Sequence, residues 1–142
     1  MVDRVTVKSR LIQIVKSIDR LERLVKAPKE DFLSPGSDLP AIADSHLCRS
    51  LGAVFDVGRH LLAKSGGPEL PLEYKSIATN LARFGIVPSD LEEALVMMAR
   101  YRDRLVHFYH EITDEELHSI ICNVLKDLRK FVESVEAYLG RL

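Results

Sequence analysis

Four side chains that can bind an anion or transfer a proton lie within eight consecutive residues of the chain. They are Arg102, Asp103, His107 and Tyr109. A guanidinium binds anions through several N–H donors, and an imidazole titrates near neutral pH and can act as a general acid or base. Asp103 precedes His107 by four residues, so on a helix the carboxylate can reach the imidazole and set its tautomer. Arg102 and Tyr109 are seven residues apart and share a face of a continuous helix.

Arg102 interrupts an otherwise apolar stripe along the helix that carries these side chains. The stripe positions are Leu91, Leu95, Met98, Arg102, Leu105 and Tyr109. Because an unpaired charge is costly to bury, Arg102 must face a bound anion, a carboxylate in a structural ion pair, or a cleft at a subunit boundary. His107 also has two interpretations, either a catalytic group or a solvent-exposed histidine.

The spacing of Arg102 and His107 predicts a homodimer. Five residues separate them, which is about 140° around a helix of 3.6 residues per turn. On a straight helix the two side chains therefore flank a common cleft without touching each other. A second copy of the helix most easily completes a site that uses both, so we expect this helix at or near the interface.

His107, His110 and Glu111 raise the alternative of a metal site, because histidines three residues apart share a helix face. No further Cys, His or carboxylate group stands at matching ligand spacing in the sequence. We therefore predict neither a metal nor another cofactor.

The elements that must position these side chains are helices. Apolar residues recur at alternating spacings of three and four along a first helix, beginning at Val7 and ending before Pro28. A connection runs from Pro28 to Pro40, and a second helix follows until Ser65-Gly66-Gly67-Pro68 ends it. A short third helix carries Ile77, Leu81 and Phe84 on its inner face.

Two capping boxes delimit the helix that carries the candidate site. Ser89-Asp90-Leu91-Glu92 predicts the start of this fourth helix at Ser89, and Thr113-Asp114-Glu115-Glu116 starts a fifth helix directly after it. No segment alternates apolar and polar residues long enough to indicate a strand. The sequence thus predicts an all-α, antiparallel bundle of about five helices that forms a single domain over residues 1–142.

Composition limits the compartment but not the partner. The chain carries 20 Lys plus Arg and 21 Asp plus Glu, a net charge of -1, so charge neither supports nor excludes RNA as a ligand. Cys48 and Cys122 stand alone in apolar helical patterns, and the N-terminus lacks the apolar region of a signal peptide. The longest strongly apolar run, 94–99, is too short to span a bilayer. We expect a cytoplasmic protein without a membrane partner.

The octapeptide 102–109, Arg-Asp-Arg-Leu-Val-His-Phe-Tyr, resembles the Arg–polar–x–x–x–His–x–Tyr signature of the HEPN superfamily. Residues 54–63 resemble the second helix of its HepT toxin branch. Tyr74-Lys75 and residues 81–87 resemble that branch's third helix. The resemblance covers essentially the whole chain, and the connection after Pro28 is its least characteristic part. It implies a HEPN-like helical bundle.

The resemblance also implies a function and roles for the four residues. HepT proteins are metal-independent endoribonuclease toxins that act as dimers on RNA and are inhibited by a minimal nucleotidyltransferase antitoxin, MntA. Arg102 would then hold the scissile phosphate, and His107 would act as general acid or base. Asp103 stands where the family most often has Asn and adds a negative charge near the phosphate. Tyr109 would contact the site and be the hydroxyl to which the antitoxin attaches AMP.

A second hypothesis shares the fold but not the chemistry. A non-catalytic HEPN module would bind a nucleotide or serve as a helical scaffold for a nucleotidyltransferase, with Arg102 and His107 kept for binding or structure. The presence of both residues favours the enzyme.

Overall fold

The computed structural model describes residues 1–66 and 73–142, which form six α-helices and two single 3₁₀ turns. The helices are α1 Arg4–Lys26, α2 Lys29–Leu33, α3 Leu39–Lys64, α4 Tyr74–Arg83, α5 Glu92–His107 and α6 Asp114–Gly140. The 3₁₀ turns are Ser89–Leu91 and Tyr109–Glu111. The predicted all-α bundle is confirmed, and α1, α3, α4, α5 and α6 are the five predicted helices.

The core forms where the apolar stripes of the long helices meet. α1 packs on α3 and α6, α4 packs on α5, and α3 contacts every other α-helix. The predicted stripe of α1 is buried from Val7 to Leu21, and Phe55 of α3 and Phe131 of α6 are fully buried. Phe84 was predicted on the inner face of α4, but it follows the last helical residue and is 41% exposed.

The connection from Pro28 to Pro40 contains the short helix α2, which the sequence did not predict. Its single buried side chain, Phe32, is fully enclosed. The ring packs edge-on against His118 of α6, with ring centroids 5.0 Å apart. A helix of five residues is too short to show a periodic apolar pattern, and packing against the rest of the bundle is what stabilises it.

The two predicted capping boxes behave differently. Thr113 caps α6 as predicted, because its Oγ1 accepts a hydrogen bond from the backbone N–H of Glu116 at 3.1 Å. Ser89 does not cap α5, which begins at Glu92. Ser89 lies inside the preceding 3₁₀ turn, and Pro88 occupies the extended position before that turn. The Ser89 hydroxyl therefore lies within the first turn, where it cannot reach the N–H groups as a cap does.

α3 ends at Lys64, and Gly66 takes a positive φ of 83° that favours glycine. Gly67 and Pro68 of the predicted stop signal lie outside the described residues. Within residues 1–66 and 73–142, no helix combines the length and the apolar character that a membrane span requires.

Candidate active site

Arg102, Asp103 and His107 line one open cleft of about 600 Å³ on the surface of α5. The opposite wall is the start of α4, and apolar residues of the α5 C-terminus complete the lining. The lining residues are Glu73, Tyr74, Lys75, Arg102, Asp103, Val106, His107 and Phe108. The structure thus brings together three of the four residues that the sequence singled out.

The guanidinium of Arg102 has no anionic partner among the described residues. No carboxylate lies within ion-pair distance, and its Nε is buried without a hydrogen-bond partner. The group lies 6.0 Å from the centroid of the Tyr74 ring instead. Within residues 1–66 and 73–142 the structural ion pair considered from the sequence is therefore not formed, and the guanidinium retains donors for an external anion.

Tyr74 holds Arg102 in place through aromatic contacts that the sequence did not single out as part of the site. Its ring stacks on Phe55 of α3 with centroids 4.6 Å apart and an angle of 6° between the planes. The guanidinium of Arg59 also lies 6.0 Å from the Tyr74 centroid. Two guanidinium groups thus share the electron-rich ring, an arrangement that orients both of them. The only sequence signal for Tyr74 was the family resemblance of Tyr74-Lys75.

His107 is the last residue of α5, and its side chain is exposed to solvent. In the described part of the chain, no hydrogen bond joins it to Asp103, so the predicted contact between the two is not formed. Val106 and Phe108 on either side of it are 44% and 49% exposed. The imidazole is therefore accessible to a ligand in the cleft, which combines charged side chains with the apolar Val106 and Phe108.

Tyr109 lies away from the cleft, which corrects the predicted helical geometry. At Phe108 the backbone leaves the α conformation, with φ −132° and ψ 31°, and the chain tightens into the 3₁₀ turn. Tyr109 is 68% exposed and lines a separate groove of about 330 Å³ that includes Asp44 and Leu105. The α-helix ends two residues before Tyr109, so this residue neither shares a face with Arg102 nor belongs to the core stripe.

Arg104 lies within the same octapeptide but has a structural role. Its guanidinium donates two hydrogen bonds to the carboxylate of Glu116, at 2.7 and 2.9 Å. These hydrogen bonds lower the pKa of Glu116 below its ordinary value. The pair fastens α5 to the first turn of α6 and so fixes the end of α5 that carries His107.

His107, His110 and Glu111 do not form a metal site in this geometry. Among the described residues, no three His, Cys, Asp or Glu side chains converge as metal ligands do.

A model of the HepT-like ribonuclease family matches residues 14–135, which include every helix that lines the cleft. The chain belongs to the HepT-like ribonuclease family. The assignment made from the octapeptide 102–109 is therefore confirmed, and so is the predicted enzyme class, a ribonuclease.

Relatives of this HepT-like chain are distant in sequence but close in fold. A tRNA nuclease HepT from Aphanizomenon flos-aquae is 22% identical over 138 residues, covering 97% of this chain and 92% of the relative. A tri-AMPylated Shewanella oneidensis HEPN toxin, solved with its MNT antitoxin, superposes with a TM-score of 0.80 at 20% identity, covering 96% of this chain and 99% of that one.

Two further solved structures share the fold. A mutant MntA toxin–antitoxin complex gives a TM-score of 0.77 at 21% identity, with 92% of this chain and 97% of that chain covered. The Bacillus subtilis cytosolic protein YutE, of unknown function, gives 0.70 at 20% identity, with coverages of 99% and 92%.

Proposed function

We propose that this HepT-like ribonuclease is the toxin of a toxin–antitoxin system and that it cleaves RNA at the cleft between α5 and α4. The observation that carries the proposal is the Arg102 guanidinium, which has no anionic partner among the residues that the structure describes and shares a cleft with the exposed His107. An unpaired cation beside an acid–base group suits phosphodiester cleavage, in which negative charge develops on the phosphoryl oxygens.

In the proposed reaction, Arg102 binds the non-bridging oxygens of the scissile phosphate and stabilises the pentacoordinate transition state. The 2′-hydroxyl attacks phosphorus as a base removes its proton, and the bond to the 5′-oxygen breaks as an acid protonates that oxygen. A homodimer would place His107 and the partner's His107 at one site, so that one imidazole serves as base and the other as acid. Asp103 lines the same cleft and would orient the imidazole when substrate is bound.

Two observations support the homodimer and the antitoxin partner. The apolar side chains of Val106 and Phe108 are exposed next to His107, where a second copy of α5 would cover them. Two structures with the same fold were solved as complexes with the antitoxins MNT or MntA. We propose that a minimal nucleotidyltransferase likewise inhibits this chain by attaching AMP to Tyr109, which is exposed and accessible to an enzyme.

We further propose that the protein acts in the cytoplasm. Cys48 and Cys122 are both free thiols, which favours a reducing compartment. RNA is present there, and the tRNA nuclease relative makes tRNA the substrate class to test first.

Induced expression of wild type, Arg102→Ala and His107→Ala tests the proposed activity. Wild type should yield new RNA fragments, and each variant should lower cleavage by about 10² to 10⁴, the contribution typical of one acid–base or oxyanion-binding group. His110→Ala is the matched control, because His110 is exposed but does not line the cleft. The tRNA fragments are resolved on a denaturing gel. Unchanged cleavage by His107→Ala would refute the assignment of His107 as the acid–base group.

Cleavage by the purified protein should persist in EDTA. The reaction proposed above takes its charge stabilisation from Arg102 and its proton transfers from His107, so it requires no divalent ion. The Arg102→Ala protein, purified in the same way, controls for contaminating nuclease. Metal independence would be contradicted if EDTA abolished the cleavage and Mg²⁺ restored it, provided that the Arg102→Ala protein showed no cleavage.

A further inference from the structure

A second open cleft of about 580 Å³ lies between α1 and α3, and its lining is strongly basic. Five cationic side chains line it: Arg10, Lys16, Arg20, Arg49 and Arg102. Among the described residues of the lining, Asp56 is the one acidic side chain. The chain as a whole has a net charge of -1, so the fold and not the composition concentrates positive charge here.

This basic groove meets the candidate active site at Arg102, which lines both clefts. Gly52 of α3 lies beside the guanidinium: a Cβ at that position would stand 3.9 Å from Arg102 Nε. Because glycine has no side chain, nothing from α3 covers the guanidinium at position 52. An anion in the basic groove could therefore reach the residue that is proposed to hold the scissile phosphate.

Two polar atoms in the lining of the basic groove are buried and have no hydrogen-bond partner. They are Nε of Arg102 and Nδ1 of His46. Burial lowers the pKa of His46, and the nearby charges of Arg20 and Arg49 lower it further. His46 is therefore uncharged at neutral pH, while the arginines around it keep the groove positive.

Four residues of α1 that line the groove follow one face of the helix. Arg10, Gln13, Ser17 and Arg20 line the groove at spacings of three, four and three residues, which is the spacing of one helix face. At 1.5 Å per residue, Arg10 and Arg20 are separated by about 15 Å along the axis. A stacked strand that advances about 3.4 Å per nucleotide would pass about four phosphates over this distance.

We propose that the basic groove between α1 and α3 binds the sugar–phosphate backbone of the RNA next to the scissile phosphate. The inference rests on the proposed function, because it assumes that the cleft at Arg102 and His107 acts on RNA. Arg10, Lys16 and Arg20 of α1 bind phosphates along the strand. Arg102, which lines both clefts, binds the phosphate that is cleaved.

The test removes two cations from the groove and measures binding separately from cleavage. The double variant Arg20→Gln/Arg49→Gln is made in the His107→Ala background, so that the RNA remains intact. Binding of a fluorescein-labelled oligouridylate is then measured by fluorescence anisotropy at several salt concentrations. Lys126→Gln/Lys130→Gln on α6 is the matched control, since both lysines are exposed and line none of the clefts described above. Thermal unfolding checks that both double variants fold.

The groove variant should bind the oligouridylate about tenfold more weakly, and the slope of log Kd against log salt should fall by about 1.4, the value for two lost phosphate contacts on a single strand. The control should match its parent. With His107 restored, the groove variant should show a raised KM and an unchanged kcat, because its charges lie away from the reacting atoms. Arg10→Gln/Lys16→Gln provides a second variant with the same expected behaviour.

Equal affinity and equal salt slope for the groove and control variants would overturn the groove assignment while leaving the proposed ribonuclease intact. A groove variant that binds RNA normally but fails to bind the nucleotidyltransferase antitoxin would make the surface a protein interface and would also overturn it. If the wild-type chain neither binds nor cleaves RNA, the proposed function fails, and the groove assignment fails with it.

Discussion

Arg102 and Arg104 lie two residues apart on α5, and their different surroundings separate a chemical role from a structural one. A separation of two residues turns a helix by about 200°, so the two side chains reach opposite neighbours. Arg104 meets Glu116 and forms a two-fold hydrogen-bonded ion pair. Arg102 meets the ring of Tyr74 and no carboxylate among the described residues. Of these two guanidinium groups, Arg102 is therefore the one that can bind an external anion.

Tyr109→Phe should escape inactivation by the nucleotidyltransferase while keeping the fold. Tyr109 is 68% exposed, so loss of its hydroxyl costs little packing. AMP attached two residues after His107 would add bulk and negative charge beside the cleft and repel the RNA phosphate. After coexpression, intact-mass analysis should find additions in steps of AMP on wild type and none on Tyr109→Phe. Equal additions on both proteins would move the acceptor elsewhere, with Tyr74 and Tyr101 the next candidates.

α3 is the element that brings the walls of the cleft together. Its Gly58 faces α4 so closely that a Cβ there would lie 2.8 Å from Cγ2 of Ile77 and 2.9 Å from Cδ1 of Leu81. This close approach seats α4 against α3. The Tyr74 ring at the start of α4 then stacks on Phe55 and meets Arg102.

Gly58→Ala should destabilise the protein by about 1 kcal/mol, because overpacking of about 1 to 3 kcal/mol exceeds the helix-propensity gain of about 1 kcal/mol. Gly52→Ala is the matched control: the nearest atom to its Cβ would be 3.9 Å away, so the propensity gain of about 0.5 to 1 kcal/mol should remain. Urea unfolding of the two variants measures both effects. If Gly58→Ala were as stable as Gly52→Ala, α4 would be shown to shift away from the added methyl group without loss of unfolding free energy.

The whole molecule presents its candidate chemistry on an exposed, partly apolar surface. His107 is exposed at the end of α5, and Val106 and Phe108 expose apolar surface on either side of it. A second chain that covered these side chains would bury apolar area and bring the second imidazole to the cleft. The exposed apolar surface supports the proposed homodimer, as does the spacing of Arg102 and His107.

Val106→Glu should convert the dimer to monomer and abolish cleavage, because a buried carboxylate without a partner opposes association. Ile12→Glu on α1 is the matched control: Ile12 is 56% exposed, lies away from the cleft and should not affect association. Sedimentation velocity at micromolar concentration distinguishes the two species. Wild type that sediments only as monomer would refute the homodimer.

Local patterns in the sequence were sufficient for α1, α3, α4, α5 and α6 and for the family. The apolar period of α1 and the Thr113 capping box depend on residues three and four positions apart, and each is found in the structure. The octapeptide 102–109 indicated the HEPN superfamily, and residues 54–63, 74–75 and 81–87 indicated its HepT branch. The match over residues 14–135 established the HepT-like family.

Contacts between residues far apart in the chain were decided only by the tertiary structure. The sequence could not show that Tyr74 meets Arg102, that Phe32 inserts beneath α6, or that cations of α1 and α3 line one groove. It also placed Tyr109 on a helix that ends two residues earlier. Helical periodicity is local, but the partner of a side chain depends on which helices pack together, and that is a property of the whole bundle.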